Sequence, residues 1–529
     1  MNTQTSNEAT DERVAALAAT ETDDTSLAQA WIAIEGGLDG EGQESAEIVR
    51  ASDGEIRSFD CNSGLWSSLD VPAALNSISR FLSEVADAKL LEAEAKLRAG
   101  EIEKKSLDAA KTLQRRLRSQ TQLKAVWHMA CIHLKSVAVD DFNANVELLG
   151  TPGGVIDIRS GASRDASPAD MVSHSTRLTP AASGIAAPRW ESFLSDVFDG
   201  DAAKIGFIQR LLGSALVGDV SPQKFFVFYG RGANGKSVIR EVLHSILGTY
   251  ATTASAKVFM QSFGDRHPTE IASLAGKRLI LASEVPTGRM WNDTLLKDLT
   301  GGEKITARRM HQDEFSFTPR GTLLFTANTL PSFPGAQEAM RRRIVLIDFK
   351  RTFAENEQDP NLGTRLVECE GSAILRWMIE GARKFLTDGG GALGLKIPHE
   401  ISDSTRLYFE EEDIVLQFLR DEQSSSLSVI KWSEGTFIST QTLFGEFRRW
   451  TDENGHKNWS TRTLTKALRE NAARYGLAEK RTKSARGFEV HRLLVKPSQS
   501  GGQSAGRGAF GKLHALKATG NSGDAADEE

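Results

Sequence analysis

The hydrophobic pattern changes period several times along the chain, and each change predicts an element. Residues 1–26 are polar, acidic and without periodicity, which predicts a disordered tail. Apolar residues become denser from Leu27. Alternation over 46–70, broken at Asp53-Gly54 and Asn62-Ser63-Gly64, predicts a short β-meander. Residues 76–118 are dense in Ala, Glu, Lys, Leu and Arg and predict helix with a break near Gly100, its charges forming a solvated face. The stretch 142–161 is rich in turns and ends in a short strand-turn, and 189–218 has the spacing of two short amphipathic helices. From 224 to 350 short apolar strands alternate with helices and turn signals, the pattern of an α/β nucleotide-binding core. Residues 365–390 read as helix again and end at the glycine run 389–391. In the smaller unit beyond residue 400, Leu443, Phe447 and Trp450 share one helical face. Leu464, Ala467 and Leu468 stripe a second helix, with Ser460 as its N-cap. Residues 477–495 read as strand, basic turn, strand, and the Gly/Ser/Ala-rich tail after Lys496 predicts disorder.

A length of 529 residues suits about three domains. Hydrophobic content of 40% and charged content of 25% are ordinary for a globular protein. No apolar run reaches the ~18 residues a membrane span needs. The acidic N-terminus has neither the basic nor the apolar stretch of a secretory signal. Cys61, Cys131 and Cys369 are far apart, which argues against a zinc module or disulfide framework and for a reducing compartment. The net charge of -6 hides an asymmetry: residues 439–496 carry 13 Lys/Arg against 6 Asp/Glu, while residues 1–50 have only Arg13 and Arg50 as bases.

The sharpest chemistry sits at Gly230-Arg231-Gly232-Ala233-Asn234-Gly235-Lys236-Ser237, which fits GxxxxGK[ST] at every required position. A strand-like run, 224–229, precedes it and a helical pattern follows from Val238. Glycines let backbone N–H groups curl around phosphates, and a helix N-terminus adds positive potential. Lys236 is expected to reach the β- and γ-phosphates of ATP, and Ser237 to coordinate Mg²⁺. Glu284, at the end of the buried-strand pattern 278–282 and after Ser283, is expected to polarise the attacking water and help hold Mg²⁺. Asn328 ends a third strand pattern, where an amide beside the γ-phosphate can orient water. Arg341, Arg342 and Arg343 precede a fourth. An arginine supplied across a subunit boundary would stabilise transition-state charge, with Arg343 ahead of Arg342 and Arg341 as surface charge.

This order of motifs (GRGANGKS, ILASE, LKDLTGGEKITARRMHQDEFSF, LLFTAN, RRIVLIDF) resembles a superfamily 3 helicase. Within that superfamily it is most similar to the phage and plasmid primase-helicases related to the poxvirus replicative primase-helicase. The resemblance spans roughly residues 45–495. It implies a modified AAA+ P-loop core, a mixed, mainly helical N-terminal domain, a C-terminal winged helix, a homo-hexameric ring and 3′→5′ translocation on one DNA strand. It also implies that 296–317 bears a β-hairpin touching DNA in the ring channel. Lys304, Arg308, Arg309 and His311 are then the phosphate contacts, which are sequence-independent and salt-sensitive. Viral relatives place a Lys-His pair at the tip, where this chain has Met310 and His311. Barely ~45 residues precede the resemblance, too few for a primase fold on ordinary domain sizes. A separate primase and other replication proteins are therefore the expected partners, in the cytoplasm of a bacterial host carrying a phage, prophage or plasmid.

The basic C-terminal module fits helix, helix, hairpin. Arg462, Lys466 and Arg469 lie on the solvent side of its second helix, and Lys480, Arg481, Lys483 and Arg486 on its wing, a candidate DNA surface. The expected divisions are an acidic tail 1–26, a helicase-associated domain 27–188, an ATPase domain 189–355, a helical connector 356–400, a winged helix 401–496 and a tail 497–529. The reading is an ATP-dependent replicative DNA helicase. The alternative is a P-loop initiator or loader that opens origin DNA without processive unwinding.

Overall fold

A computed structural model of the chain describes residues 14–35, 48–261, 268–283, 290–310, 314–328, 338–456 and 459–495. Glu284, His311 and the tail 497–529 lie outside them. Residues 14–26, expected to be disordered, are folded. Residues 14–19 are helical and α1 (Asp24–Glu35) follows. The acids bias the composition, but Leu17, Leu27, Ala28 and Trp31 join one buried cluster. Trp31 also donates its indole N–H to Ser77 Oγ at 3.2 Å, and Lys89 Nζ reaches the Ala18 carbonyl at 2.7 Å. Burial of that apolar face outweighs the solvation of the acids.

The alternating segment forms β1 (Ile48–Ala51), β2 (Ile56–Asp60) and β3 (Leu65–Ser68). A helical hairpin follows, α2 (Val71–Arg98) and α3 (Lys104–Leu117), broken at Gly100, then α4 (Gln120–His133). The Asp70 carboxylate caps α2 by accepting from Ala73 N. β4 (Lys135–Val137) returns parallel to β1, giving the order β3-β2-β1-β4. A second small sheet holds β5 (Leu148–Thr151), β6 (Gly154–Asp157) and β7 (Ser163–Arg164).

Next come α5 (Pro188–Val197) and α6 (Ala202–Val217), then a five-stranded parallel sheet. Its members are β8 (Phe225–Tyr229), β9 (Ala251–Ser255), β10 (Leu279–Ser283), β13 (Thr322–Ala327) and β14 (Ile344–Asp348), in the order β14-β8-β13-β10-β9. α7 (Lys236–Leu247) follows β8. α8 (Asp293–Gly301) and the hairpin β11 (Ile305–Arg308) with β12 (Glu314–Phe317) lie between β10 and β13. β8, β10, β13 and β14 are almost wholly buried, as near-continuous apolar runs in a sheet covered on both faces should be. Phe226 and Phe228 face one core with α6, α7 and α9 (Leu362–Thr387), while Phe225 and Val227 face a second with α8 and the hairpin. α6 and α9 cross at glycines: a Cβ on Gly213 would lie 2.1 Å from Ala382 N, and one on Gly381 2.1 Å from the Gln209 carbonyl.

Arg278, at the foot of β10, joins the small β5–β6 sheet to this core. It is 3% exposed and donates to the Leu148 carbonyl at 2.7 Å and to the Leu216 carbonyl. Its guanidinium lies 4.6 Å from the centre of the Tyr250 ring, whose hydroxyl accepts from Gly150 N at 2.9 Å. Arg278→Ala would leave two buried carbonyls unpaired beside a cavity and should cost about 2–4 kcal/mol. Arg278→Lys should recover little, since an ammonium cannot fork to both carbonyls and stack. An unchanged urea midpoint for Arg278→Ala would remove the joint from the account.

α10 (His399–Glu411) packs on β14, where Thr405 Oγ1 accepts from Leu346 N at 3.0 Å and Tyr408 and Phe409 enter the second core. The expected boundary at 401 is therefore corrected: the C-terminal unit begins at Asp413. It contains α11 (Ile414–Ser424), β15 (Phe437–Ser439), α12 (Thr440–Glu453), α13 (Thr461–Glu470), β16 (Leu477–Arg481) and β17 (Arg486–Val490). Its sheet is antiparallel, in the order β15-β17-β16. Phe418, Leu443, Phe447, Trp450, Leu464, Leu468 and Phe488 make its own core.

Candidate functional site

At the C-terminal edge of the parallel sheet, residues 230–235 link β8 to α7 beneath a cleft of about 890 Å³. Close contacts dictate the glycines. A Cβ on Gly230 would lie 2.6 Å from the Phe349 carbonyl, and one on Gly235 2.8 Å from Val197 Cγ2. Gly232 and Gly235 also have φ of 109° and 86°. Phe353 N donates to the Ala233 carbonyl at 2.7 Å, and Asn234 Nδ2 to the Phe349 carbonyl at 3.4 Å. The loop is thus fastened to the segment that leaves β14.

Lys236 opens α7 and is buried. Its Nζ donates to the Gly230 carbonyl at 2.7 Å and to Asn234 Oδ1 at 2.8 Å. Burial pushes its pKa down from 10.5 to about 8. That the Asn234 side chain holds Lys236 goes beyond what the motif predicts; its only sequence signal is an amide two residues before the lysine. Ser237 is exposed beside it. The first turn of a helix leaves its N–H groups without helical partners. Those amides with an ammonium make a place for an oxyanion.

β13 pairs with β8 through Ala327 and Tyr229, so Asn328 reaches the same cleft and is exposed there. β10 ends at Ser283; Glu284, the expected acid, lies outside the described residues. The cleft continues along Arg189, Phe193, Phe353, Leu362, Arg365 and Leu366, none of which belongs to a motif. Among the described residues no three or more His, Cys, Asp or Glu side chains gather to hold a metal. Ser237 and Glu284 are the Mg²⁺ holders expected from sequence.

The arginines expected to act on phosphate sit at the opposite edge of the sheet. Ile344 pairs with Phe225 and Asp348 with Tyr229, so the strand carries Arg343 about 17 Å from the level of its own loop. Arg343 Nε donates to Thr300 Oγ1 at 3.2 Å and its Nη1 to the Ala339 carbonyl at 3.1 Å. Arg341 lies 4.9 Å from the Phe409 ring centre. Arg342 is exposed, and its carbonyl accepts from Lys224 Nζ.

On the β11–β12 hairpin, Ala307, Phe315 and Phe317 are buried. Arg308 is exposed, while Lys304 pairs with Asp140 at 3.1 Å and Arg309 with Glu55 at 2.6 Å and Asp53 at 3.3 Å. In the C-terminal unit Arg462, Lys466, Lys483 and Arg486 are exposed. Lys466 lies 3.8 Å from Glu470. Arg469 is held by Glu479 and Lys480 by Glu489.

The chain is a mixed α/β protein built on a parallel sheet, with a candidate oxyanion cleft at the strand tips. Two family models match it: "D5 N terminal like" over residues 50–199, and a family of unknown function (DUF5906) over residues 228–343. "Putative helicase L207/L206" of Acanthamoeba polyphaga mimivirus is 26% identical over 336 residues, 59% of this chain and 34% of that protein. "Primase D5" of Fowlpox virus (strain NVSL) is 26% identical over 156 residues, 28% of this chain and 19% of that one. The chain is related to the D5-type primase-helicases. Its matches span about a third or less of those relatives' length. The apo structure of the NrS-1 C-terminal region aligns at 12% identity over 59% of this chain and 77% of that one, with a TM-score of 0.39. Among the described residues no helix is long and apolar enough to cross a membrane.

Proposed function

We propose that this chain is an ATP-hydrolysing DNA motor of the superfamily 3 helicase type, serving replication of a virus-like or plasmid element. The observation that carries the reading is the cleft. A glycine loop, a helix N-terminus and the buried Lys236 converge at the tip of β8, with Asn328 on the adjacent strand. In this reading Lys236 holds the β- and γ-phosphates, Asn328 orients water and Glu284 activates it. Ser237 and Glu284 would hold Mg²⁺, which would neutralise charge developing on the phosphates.

Arg342 cannot reach its own loop from the far edge of the sheet, so the reading needs a neighbouring copy, hence a ring of identical subunits, in which six is the expected number. The C-terminal unit has the helix, helix, hairpin outline of a winged helix, with exposed bases on α13 and the β16–β17 turn for DNA. The cytoplasm of a bacterial host completes the proposal.

The test is strand release from forked duplexes with either a 3′ or a 5′ single-stranded tail. ATP-dependent release from the 3′-tailed fork alone is expected. DNA-stimulated hydrolysis without release from either fork would replace the helicase with a loader that opens DNA. Absence of hydrolysis would remove the motor altogether.

A further inference from the structure

Two of the hairpin bases, Lys304 and Arg309, are occupied by partners from separate stretches of the N-terminal region. Arg309 meets Glu55 at 2.6 Å and Asp53 at 3.3 Å in the turn after β1; Lys304 meets Asp140 at 3.1 Å, just after β4. The fold builds these acids into one edge. β1 and β4 run side by side through Ala51 and Val137, Ser52 N donates to the Val137 carbonyl at 2.9 Å, and Val139 N donates to Ser52 Oγ at 3.0 Å. The edge is also stiff. Asp53 is pinned by Arg57 at 2.9 Å, with its side chain 2% exposed, and Arg57 lies 4.4 Å from the Phe142 ring centre.

The hairpin does not need these pairs for its own packing, since Ala307, Phe315 and Phe317 supply its buried side. Its bases stay within reach of solvent: the side chains of Arg309 and Lys304 are 31% and 69% exposed. Ion pairs of that exposure contribute little to stability. They do hold each base against a carboxylate, and a phosphate oxygen competes for the same base with the same geometry.

We infer that the Asp53–Glu55 turn and Asp140 form an autoinhibitory latch on the β11–β12 hairpin, closed without DNA and opened when backbone phosphates take over Arg309 and Lys304. The latch rests on the proposed DNA-contacting role of the hairpin and adds its regulation. The acids would also repel a DNA strand approaching the closed hairpin. Engagement of DNA therefore requires the N-terminal edge and the hairpin to separate.

The experiment is fluorescence anisotropy of a labelled single-stranded oligonucleotide with the full chain, without nucleotide, over a salt series. Glu55→Gln/Asp140→Asn leaves the buried Asp53–Arg57 pair in place. It should bind about fivefold tighter than the native chain, the sum of two exposed pairs. Its salt slope should be steeper by about 0.7 for each additional phosphate engaged. Adding Lys304→Ala/Arg309→Ala should erase the gain. Because Glu55 also braces Arg57 at 3.3 Å, Asp140→Asn alone is the milder check and should shift affinity in the same direction. Unchanged or weaker binding by the acid variants, at native melting temperature, overturns the latch. If Lys304→Ala/Arg309→Ala still weakens binding in the native background, the hairpin reading survives that loss. If it does not, the hairpin reading has failed and the latch with it.

Discussion

Lys236→Ala is expected to lower ATP turnover by about 10²–10³-fold, the scale for removing one preorganised donor from developing charge, and to leave the chain folded. Among the described residues Lys236 holds the Gly230 carbonyl and the Asn234 amide oxygen. In an open cleft water can take both places, so the fold loses little. Lys236→Met, which keeps the stem, should show the same loss and so exclude a cavity as its cause. The pH dependence follows from burial. The ammonium is pushed down from 10.5 to about 8, so the empty cleft loses its charge as pH rises through 8. Phosphate binding favours the charged form, and nucleotide bound at about pH 8.5–9 should therefore carry a proton onto the protein. Calorimetry in two buffers of different ionisation enthalpy reads that uptake directly. Between about pH 8 and 10.5 the unfolded chain binds the proton that the folded empty chain does not, so this lysine makes stability rise with pH across that window. Equal proton uptake by native protein and Lys236→Met would assign the titration to another group.

Local chemistry makes the loop legible in the sequence itself. Gly230 and Gly235 leave no room for a Cβ, against the Phe349 carbonyl and the Val197 side chain, and Lys236 and Ser237 follow where the helix begins. The hairpin is expected from the family resemblance, and the described strands β11 and β12 pair as that expectation requires. What the sequence hides depends on long-range contact. The stretch 14–19 is apolar but short and flanked on both sides by acidic, polar residues, so it reads as part of the tail, whereas the pocket that buries Leu17 is assembled from the distant helices α2 and α4. Likewise, nothing in the hairpin segment itself shows which acids Lys304 and Arg309 meet. Their acids lie more than 150 residues earlier and arrive only when β1 and β4 pair. The arginine cluster shows the same limit. Arg341, Arg342 and Arg343 are indistinguishable by type, and only packing separates them: one against Phe409, one exposed, one bonded to Thr300.

That separation gives the second large effect. Arg342→Ala should reduce turnover by about 10³-fold, the lower end for an arginine acting across a subunit boundary, with nucleotide affinity nearly unchanged. Arg343→Ala should act differently. It removes hydrogen bonds to Thr300 and Ala339 inside its own subunit and should lower the melting temperature along with activity. The geometry also dictates how variants combine. In the proposed reading Lys236 serves its own cleft, while Arg342, on the far edge of the sheet, would serve a neighbour's. In a ring mixed equally from Lys236→Ala and Arg342→Ala subunits, a site works where an Arg342→Ala subunit supplies the lysine and a Lys236→Ala neighbour supplies the arginine. For head-to-tail contacts about a quarter of sites meet that condition. Two inactive proteins should thus regain activity on mixing. If both residues acted within one chain, no mixture would recover, and Arg342 would be returned to the surface.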